Sequence, residues 1–156
     1  MKMMELLFLN HLKKQRLIES GIYSRRLEEN NMYRFEWNFK QIKDQNSFEN
    51  FVADMLKEDN PYFNFPANYE QAARLFYQSD SGKCVMIELQ VPTQEMIKVL
   101  DGEEPDIPWL DAYEVDDMQD YDASNEIYTG IRNGEAITYE NAEQLMLELA
   151  KELCND

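Results

Sequence analysis

The sequence predicts a single α+β domain, with a mixed or antiparallel sheet, amphipathic helices and a C-terminal helix. Three observations lead there. Residues 31–39, NMYRFEWNF, place Tyr33, Phe35, Trp37 and Phe39 on one face and Met32, Arg34, Glu36 and Asn38 on the other, the two-residue period of a half-buried strand. Residues 141–153, NAEQLMLELAKEL, put Ala142, Leu145, Met146, Leu149 and Leu153 on one face of a helix. Between them the two periods alternate without the regular order of a βαβ chain.

The elements follow in order. Residues 3–19 space Met4, Leu7, Phe8, Leu12 and Leu17 as an amphipathic helix, with Lys13, Lys14 and Arg16 on its polar side and Gly21 as its stop. After the strand at 31–39, residues 47–58 read as a helix capped by Ser47, with Phe48, Phe51, Val52, Met55 and Leu56 as its apolar stripe. YFNF at 62–65 reads as a short strand before Pro66, and Asn68 opens a predicted helix over YEQAARLFYQ. SDSG at 79–82 is a turn. KCVMIELQV then alternates again, with Val85, Ile87, Leu89 and Val91 inward and Cys84 on the other face. Pro92 ends that strand and Thr93 caps a short helix to about Leu100. EIYTGI and EAITY flank Arg132-Asn133-Gly134, and Asn-Gly between two alternating runs predicts a hairpin.

Charge narrows the function. The 156 residues carry a net charge of −16, and 44% of them are hydrophobic, so the chain is acidic yet able to build a core. Residues 1–45 hold nine Lys/Arg and six Asp/Glu; residues 46–156 hold six and twenty-five. A mildly basic head therefore leads a strongly acidic body. Such a body repels nucleic-acid backbones and anionic membranes and attracts basic protein surfaces. Opposite charge on head and body also allows a head-to-body homodimer. The two cysteines, Cys84 and Cys154, lie far apart and make no disulfide framework. MKMMELLFLN lacks a cleavage site and no run reaches membrane-spanning length, which reads as a cytoplasmic protein.

Residues 101–126 hold the acidity at its densest: eleven Asp or Glu and no Lys or Arg. Trp109, Leu110, Tyr113, Val115, Met118 and Tyr121 recur among them every three or four residues, which predicts an acidic surface segment pinned by its aromatics with carboxylates outward. One reading is a solvated loop that only keeps the chain soluble. A second is protein binding, with Asp111, Glu114, Asp116, Asp117, Asp120 and Asp122 supplying charge and Trp109, Tyr113 and Tyr121 supplying anchors. The third is calcium: Asp120, Asp122, Ser124 and Glu126 repeat the alternate oxygens of a calcium loop. Asn125 and Ile131 stand where that loop needs Gly and Glu, and the metal reading fails.

Catalytic signatures are sparse. His11 is the only histidine, and there is no P-loop, no GxGxxG and no nucleophile elbow. No cofactor is implied by any motif. Arg34, on the outward face of its strand, is expected to pair with an acid such as Glu36 or one across the sheet, or else to anchor an anionic ligand. YFNFPANYEQAARLFYQSDSGKCVMIELQVP, with LIESGI at 17–22 and EIYTGI at 126–131, resembles segments of ADP-ribosyltransferase-like domains. The resemblance implies an NAD-binding fold in which Glu126 polarises the nicotinamide ribose and Arg34 or an early His holds the dinucleotide. Phe63-Asn64-Phe65 stands in place of that family's Ser-Thr-Ser type of motif. The reading taken from the whole sequence is a non-catalytic acidic module of inhibitor, immunity or phage and mobile-element accessory type that binds a basic protein surface.

Overall fold

A computed structural model describes residues 22–26, 32–57, 68–101, 108–118, 125–131 and 134–156. Six strands form one sheet: β1 (Ile22–Arg26), β2 (Met32–Trp37), β3 (Tyr69–Gln78), β4 (Cys84–Pro92), β5 (Trp109–Val115) and β6 (Asn125–Gly130). Their spatial order is their chain order, and all five pairings are antiparallel. Three helices complete the described chain: α1 (Gln45–Met55) between β2 and β3, α2 (Gln94–Val99) after β4, and α3 (Ala142–Leu153) after β6. The α+β class with a C-terminal helix is as the periodicity predicts.

One sheet face carries the main core. Tyr33 and Phe35 of β2, Leu75 and Tyr77 of β3, Val85, Ile87, Leu89 and Val91 of β4, and Leu110 and Ala112 of β5 pack with Phe48, Phe51 and Met55 of α1 and with Leu145, Met146 and Leu149 of α3. The four inward residues expected of β4 are all there. Cys84 faces the other way and is buried with Phe76, Met86 and Val115 in a second, smaller apolar cluster. At the helix ends, Lys83 donates from Nζ to the carbonyl of Leu153 at 2.8 Å, placing a cation at the carbonyl-rich terminus of α3. Asp156 accepts from the Tyr77 hydroxyl and from Ser79 Oγ, which fixes the chain after α3 to the sheet.

Four expectations are corrected. YEQAARLFYQ is a ten-residue strand, β3, and not a helix. Its Ala, Gln, Arg and Glu favour a helix locally, but the segment pairs with β2 on one side and β4 on the other, and tertiary pairing outweighs propensity. A bulge between Gln71 and Ala73 buries two consecutive alanines, so the alternation that would mark a strand is broken. The predicted hairpin is the second correction: β6 forms, but residues 135–139 form no strand. Ile137 goes to the core, Tyr139 stacks on Trp37 with ring centroids 4.9 Å apart, and the Tyr139 amide donates to Gln45 Oε1. Third, Asp44 rather than Ser47 is the N-cap of α1. Ser47 is the reciprocal member of a capping box, its amide donating to Asp44 Oδ1 at 2.8 Å and its Oγ accepting from the Asp44 amide at 3.0 Å. Lastly, Thr93 stands at the cap position of α2 but its hydroxyl donates to the Asn68 carbonyl.

The predicted helix at 3–19 with His11, the strand at 62–65 including Phe63-Asn64-Phe65, the Arg132-Asn133 tip, and Asp120, Tyr121, Asp122 and Ser124 lie outside the described residues. Among the described residues no helix is long and apolar enough to cross a membrane.

Candidate functional site

The sheet face away from α1 and α3 is built differently. Antiparallel register aligns Glu36 of β2, Arg74 of β3, Glu88 of β4, Asp111 of β5 and Thr129 of β6 in one row running across five strands. Directly opposed residues on one face lie within side-chain reach, so this row is a continuous polar contact line. Arg74 serves its first half. Its guanidinium donates to Glu88 Oε2 from NH2 at 2.9 Å and from Nε at 3.3 Å, and its NH1 stands 3.5 Å from Glu36 Oε1. Glu36 and Glu88 are both buried, and a buried carboxylate persists only where such charge-assisted bonds replace water.

Asp111 serves the second half. It is 4% exposed, and its Oδ1 accepts from the Thr129 hydroxyl at 2.6 Å and from Trp109 Nε1 at 3.2 Å. This corrects the expectation of an outward carboxylate at Asp111, whereas Glu114, Asp116 and Asp117 are exposed as expected. Residues 109–115 are an inner strand, and their side chains obey a two-residue period. Trp109, Asp111 and Tyr113 share the polar face; Leu110 and Ala112 enter the core on the other. The spacing that looked like three or four was the sum of two faces.

Aromatic rings stand beside the buried acids. Tyr69 and Trp109 meet edge to face at 5.5 Å, and Tyr113 lies beyond Asp111 on β5. All three are only partly buried. The Tyr113 phenol is pushed well up from its ordinary value, chiefly by burial and then by the negative field of Asp111, Glu88 and Glu126. Tyr69 is raised for the same reasons, burial first and then Asp111 and Glu126. Rings and carboxylates thus share one electrostatic neighbourhood. Next to Glu88 on the same face, Gln90 is fully buried, and neither its Oε1 nor its Nε2 has a hydrogen-bond partner among the described residues.

The other sequence-selected residues distribute as follows. Glu114 is exposed on the opposite face of β5 and accepts from Asn125 Nδ2 at 3.2 Å; Asp116 and Asp117 are exposed just after the strand. Glu126 is exposed on β6, paired across from Tyr113. Arg34 lies on the same face with its guanidinium carbon 4.7 Å from the centroid of the Phe76 ring. Arg34 and Glu126 belong to one cross-strand row through Phe76, Met86 and Tyr113, but at its two ends. Four interstrand spacings, about 19 Å, separate them. The structure therefore joins Trp109, Asp111 and Tyr113 and sets Arg34 and Glu126 apart. It adds Glu36, Tyr69, Arg74, Glu88, Gln90 and Thr129, of which Glu88 and Gln90 carried a signal in the sequence: two polar residues inside an otherwise apolar strand.

No group of three or more His, Cys, Asp or Glu among the described residues is arranged to hold a metal ion. Comparison with protein-family models, with curated proteins and with solved structures finds no match for this chain.

Proposed function

We propose that this protein is a non-catalytic, acidic interaction module of the inhibitor, immunity or phage and mobile-element accessory type, which captures a basic protein surface and works in the cytoplasm. The observation that supports this reading best is the composition of the β5 side of the sheet. Asp111, Trp109 and Tyr113 stand together on one face beside Glu88 and Tyr69, with Glu126 exposed on the same face, Asp116 and Asp117 exposed just after β5 and Glu114 exposed on its other face. Fixed carboxylates attract and steer Lys- and Arg-rich partners, and partly buried aromatics give the contact its hot-spot area. The buried free thiols of Cys84 and Cys154 are compatible with a reducing compartment.

The test is capture from nuclease-treated lysate of the source cell at low and at high salt, with the wild type and with Asp116, Asp117, Asp120 and Asp122 all changed to Asn. A stoichiometric basic partner held at low salt, released at high salt and lost in the fourfold variant is the expected result. Equal capture by a variant with an unchanged circular dichroism spectrum removes the acidic face from the argument. Sedimentation of the free protein over a concentration series checks the head-to-body homodimer. The rival reading, an NAD-binding ADP-ribosyltransferase-like domain, requires an NAD titration that responds to Glu126→Gln.

A further inference from the structure

The polar face carries a more specific inference, which rests on the acidic-module reading: we propose that the β4–β5 part of the sheet, around Glu88, Gln90 and Asp111, receives one arginine side chain of the partner. Three independent observations converge there. The first is charge. Glu88 and Asp111 are directly opposed across β4 and β5, both buried, and like charges opposed in this way repel. Arg74 answers Glu88 from the β3 side, but both of its hydrogen bonds to that residue fall on Oε2. Among the described residues Asp111 is met by the neutral donors Thr129 and Trp109, and both fall on Oδ1. Among those residues the second oxygen of each acid accepts no hydrogen bond, which suits a cationic donor between them.

The second observation is Gln90. Its register partner on β5 is Trp109, and the two-residue period of β4 puts its side chain on the face of Glu88. A buried amide ordinarily finds partners for both of its ends, and here neither end has one among the described residues. An arginine side chain answers the oxygen end: its guanidinium has five N–H donors in a plane, enough for Asp111, Glu88 and Gln90 Oε1 together.

The third is the surround. Tyr69, Trp109 and Tyr113 are the partly buried members of the cluster, and aromatic rings attract a flat cation. Burial falls off toward β6, where Thr129 and Glu126 are exposed, so entry is from that edge of the sheet. The same face already holds two guanidinium groups in these two manners, Arg74 between Glu36 and Glu88 and Arg34 over Phe76. Lysine fits less well, because a point-like ammonium neither spans two carboxylates and an amide nor stacks on a ring.

The experiment titrates the full chain at low salt with acetyl-Gly-Arg-Gly-amide and with its lysine counterpart, by calorimetry and tryptophan fluorescence. Wild type, Gln90→Leu, Asp111→Asn and the Asp116/Asp117/Asp120/Asp122→Asn protein are compared. The expected result is arginine peptide bound at least about tenfold tighter than lysine peptide. Gln90→Leu should melt at the same or a higher temperature, since it removes an unpartnered buried amide, and should weaken arginine-peptide binding about tenfold. Asp111→Asn should weaken it as well. If Gln90→Leu melts lower and binds the peptide as wild type does, the amide serves the fold and the assignment is overturned. Equal binding of both peptides, lost only in the fourfold variant, overturns the arginine site while the acidic-module reading stands. Binding of neither peptide overturns the arginine site, and the acidic-module reading then stands or falls on the lysate capture.

Discussion

Arg74 shows what a single side chain does for the polar face. Its side chain is 17% exposed and those of Glu36 and Glu88 are 8% and 9% exposed, so all three charges sit largely out of water. Removing one partner of a buried ion pair leaves the others uncompensated, which costs about 3–5 kcal/mol. Arg74→Met should therefore lower the urea midpoint sharply while leaving the slope of the transition unchanged. Adding Glu36→Gln and Glu88→Gln to Arg74→Met should restore part of the loss, because the stranded charges are then gone. A triple variant no more stable than Arg74→Met alone would mean that the row is held by packing and not by its charges.

At the scale of elements, α3 decides how firmly the helical layer is attached. Leu149 is 1% exposed and Met146 is fully buried, and both pack against the sheet's apolar face. Leu149→Ala should destabilise the fold by about 2–5 kcal/mol, measured by thermal or urea unfolding, since the rigid sheet beneath it cannot collapse into the cavity. This helix was legible in the sequence because one face is buried and the other is wet, which leaves a clean period. β2 and the apolar face of β4 were legible for the same reason. β3 was not: it is flanked by strands on both sides, buried on both faces and interrupted by the bulge at Ala72, so no period survives in it. β5 was hidden by a different cause. Asp111 reads as a solvent residue unless the sheet that supplies Thr129 and Trp109 as its donors is known. Site residues from one strand could thus be chosen from sequence, whereas Glu36, Tyr69, Arg74 and Thr129 join them only through register across the sheet.

For the whole molecule, the two faces of the sheet divide the work, one burying helices and the other holding charges, and the end of α3 ties the first arrangement down. That tie has a pH signature. Burial and the nearby Asp156 carboxylate push the Cys154 thiol up from 9.0 to about 11. The Tyr77 phenol is likewise raised from 10.0, by burial first and then by its hydrogen bond to Asp156. In the unfolded chain both groups ionise near their ordinary values, while the folded chain still holds the protons. Protonation thus favours the folded state, and its contribution is complete below about pH 9. As pH rises, the thiol's share fades between 9.0 and about 11 and the phenol's share begins to fade above 10.0. Urea unfolding at pH 8, 9.5 and 11 should therefore show stability falling across the series. Cys154→Ala should flatten both intervals and Tyr77→Phe the second alone, each against its own pH 8 value so that lost packing cancels. Lys83 is the check on locality: its Nζ holds the Leu153 carbonyl at the same helix end and its charge holds the thiol down, so Lys83→Met should lower stability at pH 8 and deepen the thiol's loss toward pH 11. If the two variants fall with pH as steeply as wild type, alkaline loss arises elsewhere in the sheet, and Tyr69 and Tyr113, raised by the acids of the polar face, become the groups to replace next.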